Sequence, residues 1–162
     1  MVDDARIDGE VMCEGISASA NAGQEAGSKF KASVILGGQI NEGVRTLCMI
    51  YPEGNFIEVT DDAPFFQIGE AKYGKPILVR AYDPETQFED AIKLLMVSFD
   101  STIKANLSVG LPLDYLVYTA GSLKVTHTNR IEADDLYFQS VSEGWGEALR
   151  NALDQLPKFE FD

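Results

Sequence analysis

Residues 106–114, NLSVGLPLD, place two polar side chains where a predicted helix gives way to a strand. Gly110 and Pro112 are enough to end a helix, so Asn106 and Ser108 are not needed for that purpose alone. Amide and hydroxyl side chains at such a junction can cap the helix, or they can orient a reactive group nearby. The residues alone leave both interpretations open.

Metal and cofactor chemistry is not expected. The only histidine, His127, alternates with Thr126 and Thr128 in a predicted strand, and no second His or Cys lies at ligand spacing. The acidic pairs at 61–62 and 134–135 are typical of turns and helix caps, although adjacent carboxylates can bind a hard cation weakly. The glycine-rich run LGGQINEG lacks the lysine of a phosphate-binding loop.

Hydrolysis without a metal needs a nucleophile and a base. A Ser-His-Asp triad is not indicated, because the one histidine lies in a strand and no serine lies on an elbow motif. A chain whose first residue is Thr, Ser or Cys needs no histidine, since its own α-amine is the base. A weaker alternative is an acidic hydrolase built from Glu58, Asp61 and Asp62, which rests only on clustered carboxylates.

Charge and composition restrict the class of protein. The 162 residues carry 26 acidic and 13 basic side chains, a net charge of −13 that repels phosphate backbones and anionic lipid. No apolar run approaches a membrane span, and the N-terminus resembles no signal peptide. The two cysteines, Cys13 and Cys48, are interpreted as buried thiols. We therefore predict a soluble, cytoplasmic protein of one domain that binds neither nucleic acid nor membrane.

The order of elements indicates an α+β protein. Residues 1–29 contain a weak helix over 3–16, interrupted by two glycines, and a small polar loop over 17–29. From residue 30 onward, an antiparallel meander of four strands is predicted over FKASVILGGQ, TLCMIYPEG, NFIEVTDD and PFFQIGE. The run SVIL predicts a strand covered on both faces, whereas the alternating FIEV predicts a more exposed one.

Three helices are predicted to pack over this sheet. A short helix covers 73–81, and a long amphipathic helix opens with Thr86 and Glu89 at capping-box spacing. Two further strands, LDYLVY and LKVTHTN, are joined by a short connection. The final helix is predicted to start near Ser140, with Glu143 at capping-box spacing. Its expected buried residues are Val141, Trp145, Leu149, Ala152, Leu153 and Leu156.

Five stretches resemble the Anbu family, the bacterial proteasome-related peptidases. They are FKASVILGGQI (30–40), YPEGNFIEVT (51–60), FFQIGEAKYGKPIL (65–78), FDSTIKANLSVGLPLDYLVY (99–118) and RIEADDLYFQSVSEGWGEALRNALDQLP (130–157). The resemblance implies that residues 30–162 form a proteasome β-subunit-like domain, an αββα sandwich of the N-terminal-nucleophile class that lacks its first strands. It also implies threonine-type peptide hydrolysis within a ring or spiral homo-oligomer.

The resemblance assigns supporting roles to the helix-to-strand junction. Proteasome β-subunits carry Asp-x-x-Ser-Gly there, and its polar side chains help to order the nucleophile. Asn106 matches the aspartate and Gly110 the glycine, while Ser108 lies one residue before the serine. Gly69 and Glu70 stand where those subunits have Gly-Ser. Asn106 cannot supply the negative charge of the aspartate.

The larger departure from the family is at the N-terminus. Family members begin with a threonine, serine or cysteine on a first strand, whereas this sequence begins Met1-Val2, so we expect the chain by itself to be inactive. Cleavage before Ser28 would expose a hydroxyl, but the resemblance places the strand that follows in the middle of the family's chain. The competing class is a non-catalytic assembly or binding module, in which Asn106, Ser108, Glu70 and Lys72 line a pocket or an interface.

Overall fold

A computed structural model of the chain describes residues 32–41 and 43–161. The predicted helix over 3–16, the loop over 17–29, Cys13 and Ser28 lie outside the described residues. The described elements are β1 (Val34–Gly38), β2 (Thr46–Ile50), β3 (Phe56–Glu58), α1 (Lys75–Ala81), α2 (Phe88–Ala105), β4 (Leu113–Tyr118), β5 (Val125–Ile131) and α3 (Leu136–Asp154). The chain is thus a mixed α/β protein, and its described residues divide into two compact units: one comprises those before residue 70 together with 118–126, and the other comprises 70–117 and 127–161.

In the first unit, β1, β2 and β3 form an antiparallel sheet in sequence order. Cys48 and Ile50 of β2 point to one side because alternate residues of a strand share a face, and both are fully buried. Leu36 and Phe56 from the neighbouring strands pack against them. The predicted meander is confirmed for these three strands.

Two expectations about this sheet are wrong. The run PFFQIGE is not a strand: Pro64 lacks the N–H that a ladder needs, and Gly69 has φ +78°, outside the extended region. The strand covered on both faces was expected to be β1, but Val34 is 39% exposed and the buried side chains belong to β2. β3 is the more exposed strand, as predicted.

In the second unit, the long helix α2 presents different faces to α1 and α3. Met96 is buried together with Ile131 and Phe138, and partly buried side chains such as Ile92 and Val141 surround them. The contact between α2 and the start of α1 is polar and close. A Cβ on Gly74 would meet the Ser98 side chain and lie 2.9 Å from Thr102 Oγ1. A glycine therefore lets the start of α1 approach α2.

The predicted helices are present, but all three starts differ from the prediction, and α1 begins at Lys75 rather than at residue 73. α2 begins at Phe88 without a side-chain cap, because the hydroxyl of Thr86 accepts from the Asp83 N–H instead, at 3.3 Å. α3 begins at Leu136 rather than near Ser140, because Asp135 caps it by accepting from Phe138 N–H at 2.7 Å.

Both strands predicted between α2 and α3 are present, although β5 spans Val125–Ile131 rather than the predicted 123–129. β4 and β5 are hydrogen-bonded neighbours in a two-stranded sheet, and β4 covers the predicted LDYLVY. Within the described ranges, no helix combines the length and the apolar character that crossing a membrane requires.

Candidate functional site

The candidate site is the C-terminal end of α2, where Asn106 is the first residue outside the helix. Its backbone N–H still donates to Thr102 O at 2.9 Å, but its φ and ψ of −137° and 112° are extended, so the helix stops there. The carbonyl of Asn106 accepts from Val109 N–H at 3.1 Å, which turns the chain toward β4. The side chain of Asn106 is therefore not needed to end the helix.

That side chain joins two segments of the second unit. Its Oδ1 accepts from Ser108 N–H at 2.9 Å and from Ser108 Oγ–H at 2.7 Å. Its Nδ2 donates to Glu70 Oε2 at 3.0 Å. The partners fix the orientation of the amide, because a backbone N–H can only donate and a carboxylate can only accept.

Glu70 completes this hydrogen-bond chain from the other side. Its Oε1 accepts from the backbone N–H of Lys72 at 2.9 Å, so the carboxylate holds residues 70–72 to the end of α2. Just before it, Gly69 has a positive φ that favours glycine. Gly110, in contrast, has open space at its Cβ position, so packing does not require a glycine there.

This arrangement orients groups and does not itself attack a substrate. The hydroxyl of Ser108 donates to an amide oxygen, and an amide is not a base that could activate a nucleophile. Asn106 is partly buried and Ser108 exposed, so the cluster lies at the edge of the unit. Its chemistry is to fix the positions of Glu70 and of residues 106–108.

The remaining candidate nucleophiles and bases lie apart from this cluster. His127 lies exposed on β5, and no hydrogen bond joins its side chain to a serine, threonine or cysteine of the described ranges. Cys48 is fully buried; burial raises the pKa of its thiol, and the carboxylate of Glu58, its partner in the β2–β3 register, raises that pKa further. A buried, protonated thiol is a poor nucleophile.

The acidic side chains considered as candidates lie in turns, a helix cap and an exposed strand position. No group of three or more potential metal ligands comes together within the described residues. Asp61 and Asp62 lie in an exposed turn, as predicted, and Glu58 is exposed on β3. Asp135 serves as the cap of α3.

Two grooves in the second unit were not predicted. One, of about 690 Å³, lies between α1, α2 and α3 and is lined by residues that include Trp145, Glu85 and Asp90. The other, of about 540 Å³, lies along α1. Both depend on which faces of neighbouring helices stay uncovered, and the periodicity of a single helix carries no signal for that.

The chain is similar in sequence and in structure to several solved proteins. A mutant of Anbu from Hyphomicrobium sp. strain MC1 is 45% identical with a TM-score of 0.90, and the match covers 99% of this chain and 66% of that one. Anbu (ancestral beta-subunit) from Yersinia bercovieri is 42% identical with a TM-score of 0.88, covering 99% and 66%. A helical assembly of the Anbu complex from Pseudomonas aeruginosa is 41% identical with a TM-score of 0.90, covering 98% and 66%.

These similarities show that the chain has a proteasome-like fold. Within that class the chain belongs to the Anbu family, and it spans about two thirds of the length of the structures that it matches. No protein-family model matches the sequence, and neither does any curated protein.

Proposed function

We propose that this chain is part of a subunit of a proteasome-type peptidase, which hydrolyses peptide bonds within a self-assembled oligomer. The observation that carries the proposal is 41–45% identity to Anbu structures along nearly the whole chain. The matches cover 98–99% of this chain, so they are not limited to one part of the fold.

The described sheets and helices represent part of an αββα sandwich in this proposal. The meander β1–β3 and the pair β4–β5 supply strands, and α1, α2 and α3 supply one helical layer. The nucleophile is a threonine, serine or cysteine at a chain N-terminus, and it does not belong to the described residues. Peptide hydrolysis by the 162-residue chain alone is therefore not expected.

Asn106, Ser108 and Glu70 act as positioning residues. An N-terminal nucleophile uses its own amine as the base, so its rate depends on how the surrounding groups hold it. The Ser108–Asn106–Glu70 hydrogen bonds fix two loops at the end of α2, with distances of 2.7–3.0 Å. Loss of this fixed geometry lowers the rate of the chemical step and leaves peptide binding largely intact.

Self-association accompanies this function. A helical assembly is described for the Pseudomonas aeruginosa relative, and we propose that this chain also forms homo-oligomers. The partners are then further copies of the chain, with a peptide or an unfolded protein as the substrate.

The test is hydrolysis of fluorogenic peptides by the 162-residue chain and by the full-length natural subunit, each also as Asn106→Ala. We expect no hydrolysis from the 162-residue chain. In the full-length subunit, Asn106→Ala is expected to lower kcat about ten-fold or more with little change in KM, because a positioning effect acts on the transition state.

The matched control is Asn129→Ala, which removes the same side chain from an exposed position of β5. It should leave kcat and KM unchanged. A full-length subunit that assembles but hydrolyses no peptide would favour the non-catalytic module instead. If the two substitutions change kcat equally, Asn106 has no positioning role.

A further inference from the structure

The C-terminal end of the chain carries an apolar face that the described residues leave uncovered. Leu149, Leu153 and Leu156 follow one another at helical spacing and are 50%, 69% and 62% exposed. Beyond the helix, Phe159 and Phe161 are 81% and 92% exposed, and their ring centroids lie 5.1 Å apart in an edge-to-face contact. The prediction that the final helix buries these leucines is wrong, since all three are exposed. An amphipathic helix with an exposed apolar face is suited to an interface.

Acidic side chains accompany this apolar face. We define the C-terminal tail as residues 153–162, which contain three acidic side chains and one basic side chain. A partner surface should therefore combine apolar contacts with positive charge.

One groove of the molecule has that combination. The α1 groove, of about 540 Å³, is lined by Ala71, Lys72, Lys75, Pro76, Val79 and Arg80. Its three cations are exposed and form no ion pair with residues of the described ranges. In a chain of net charge −13, three cations that form no ion pair with the described residues make an unusual surface around an apolar groove.

The larger groove does not suit the tail. Glu85 and Asp90 place two carboxylates on its lining, and the one cation there, Lys93, is bonded to Asp90 at 2.6 Å. An acidic tail would meet net negative charge in that groove. Charge complementarity therefore selects the α1 groove.

We propose that the C-terminal tail of one copy docks in the α1 groove of a second copy, with the two phenylalanines as apolar anchors and Lys75 and Arg80 pairing with its carboxylates. Because the two surfaces differ, each copy offers one tail and one groove, and the contact repeats from copy to copy. Such head-to-tail contacts build rings or open helices rather than closed dimers. This inference rests on the self-association proposed above and does not depend on peptidase activity.

The expected strength of the contact follows from its apolar anchors. A buried aromatic side chain removes roughly 150–250 Å² from water, so two phenylalanines supply a large share of the roughly 800 Å² that each partner buries in a standard interface. The ion pairs at the rim set orientation and salt dependence more than affinity.

The first experiment compares two variants of the 162-residue chain by sedimentation velocity over a range of concentrations. The tail variant is Phe159→Ser/Phe161→Ser, and the groove variant is Lys75→Glu/Arg80→Glu. Each should weaken self-association about thirty-fold or more, as expected for loss of central aromatic anchors or reversal of their facing charges. All four side chains are exposed, and circular dichroism checks that each variant is folded.

The matched control for the groove variant is Arg45→Glu/Lys124→Glu. It makes the same change in net charge at exposed positions outside the groove. Self-association close to that of the unmodified chain is expected. If this control dissociates the oligomer as fully as the groove variant does, net repulsion explains the effect and the proposed contact is overturned.

Mixing the two variants tests the head-to-tail arrangement. The tail variant keeps an intact groove and the groove variant keeps an intact tail, so the mixture should form 1:1 heterodimers and nothing larger. A mixture that stays monomeric overturns the proposal.

Two further results would overturn the inference and also separate it from the proposed function. If the unmodified chain oligomerises and neither variant changes its association, the tail is covered by something else, such as residues 1–31, and self-association stands without this contact. If the unmodified chain is monomeric at all concentrations, the proposed self-association of this chain fails as well.

Discussion

At the scale of single residues, the contacts of Asn106 give a physical reason for an amide at this position, where the resemblance to proteasome subunits would place an aspartate. An amide accepts from Ser108 and donates to Glu70 at the same time, whereas a carboxylate can only accept. The negative charge that the sequence lacks at position 106 is present 3.0 Å away on Glu70. The amide and the facing carboxylate therefore form a complementary pair.

The substitution Asn106→Asp tests this pairing. It places a second carboxylate against Glu70 Oε2 and removes the donor, so we expect a loss of about 1–3 kcal/mol in the free energy of unfolding at pH 7. The penalty should shrink as the pH falls toward 4, because protonation of the introduced carboxyl restores a donor and removes the repulsion. Urea unfolding of the variant and of the unmodified chain at pH 7 and at about pH 4 measures this loss in the free energy of unfolding.

The control for this substitution adds Glu70→Gln, which removes the like charge and supplies a donor. The double variant Asn106→Asp/Glu70→Gln should recover most of the lost stability at pH 7. If Asn106→Asp is as stable as the unmodified chain at both pH values, the Asn106–Glu70 bond does not hold the site together.

Cys48 yields a second prediction at this scale. Its pKa is raised by burial and by Glu58, so in a Cys13→Ser background the folded protein should react with iodoacetamide at pH 8 at least ten-fold more slowly than the protein in urea. An unfolded thiol ionises near pH 8.5. Stability from this group is therefore fully present below that pH and falls as the pH rises further. Equal reactivity of folded and unfolded protein would contradict the buried position.

The sequence could indicate Asn106, Ser108 and Glu70 as candidates, but not the hydrogen bond that joins Asn106 to Glu70. Two polar side chains beside a helix stop are visible in one short run, whereas Glu70 lies 36 residues earlier, and only the packing of residues 70–72 onto the end of α2 brings the two together. The competing interpretation, a helix cap and a tight turn, describes part of this geometry, since Asn106 Oδ1 accepts from Ser108 N–H. The bond from Asn106 Nδ2 to Glu70 goes beyond it.

At the scale of elements, the contact between α1 and α2 depends on one residue without a side chain. A Cβ on Gly74 would lie 2.9 Å from both Ser98 O and Thr102 Oγ1, closer than real contacts allow. Gly74→Ala should therefore destabilise the protein by about 1–3 kcal/mol through overpacking, as measured by urea unfolding.

Gly144 of α3 provides the matched comparison for that change. A Cβ there meets nothing within 4 Å, and alanine favours a helix over glycine by about 1 kcal/mol. Gly144→Ala should therefore stabilise the protein. If Gly74→Ala stabilises the protein as Gly144→Ala is expected to do, the close approach at Gly74 does not exist.

Element types could be predicted more reliably than element ends. The apolar period of α2 and the apolar run of β4 are strong local signals, and both elements appear as predicted. The start of α3 was misplaced because the Ser140–Glu143 spacing also fits a capping box, while Asp135 holds the cap. The prediction of a fourth strand over PFFQIGE was wrong because a run of apolar residues does not reveal whether a neighbouring strand is available to pair.

At the scale of the whole molecule, a chain of the Anbu family combines a proposed positioning cluster with a proposed contact between copies. The chain spans about two thirds of its Anbu relatives, and its described residues contain groups that orient but no activated nucleophile. Long-range surfaces such as the α1 groove could not be predicted, because they arise from which helix faces remain uncovered after packing. Their charge distribution nevertheless follows directly from the sequence once the fold is known.

The most direct test of the central claim is N-terminal sequencing with intact mass on the native protein, carried out on the fraction that hydrolyses fluorogenic peptides. The account predicts that the active chain contains the region of residues 32–161 and begins with threonine, serine or cysteine. An active chain that begins at Met1 or Val2 would contradict it, because that chain would hydrolyse peptides without the nucleophile on which the proposed function depends.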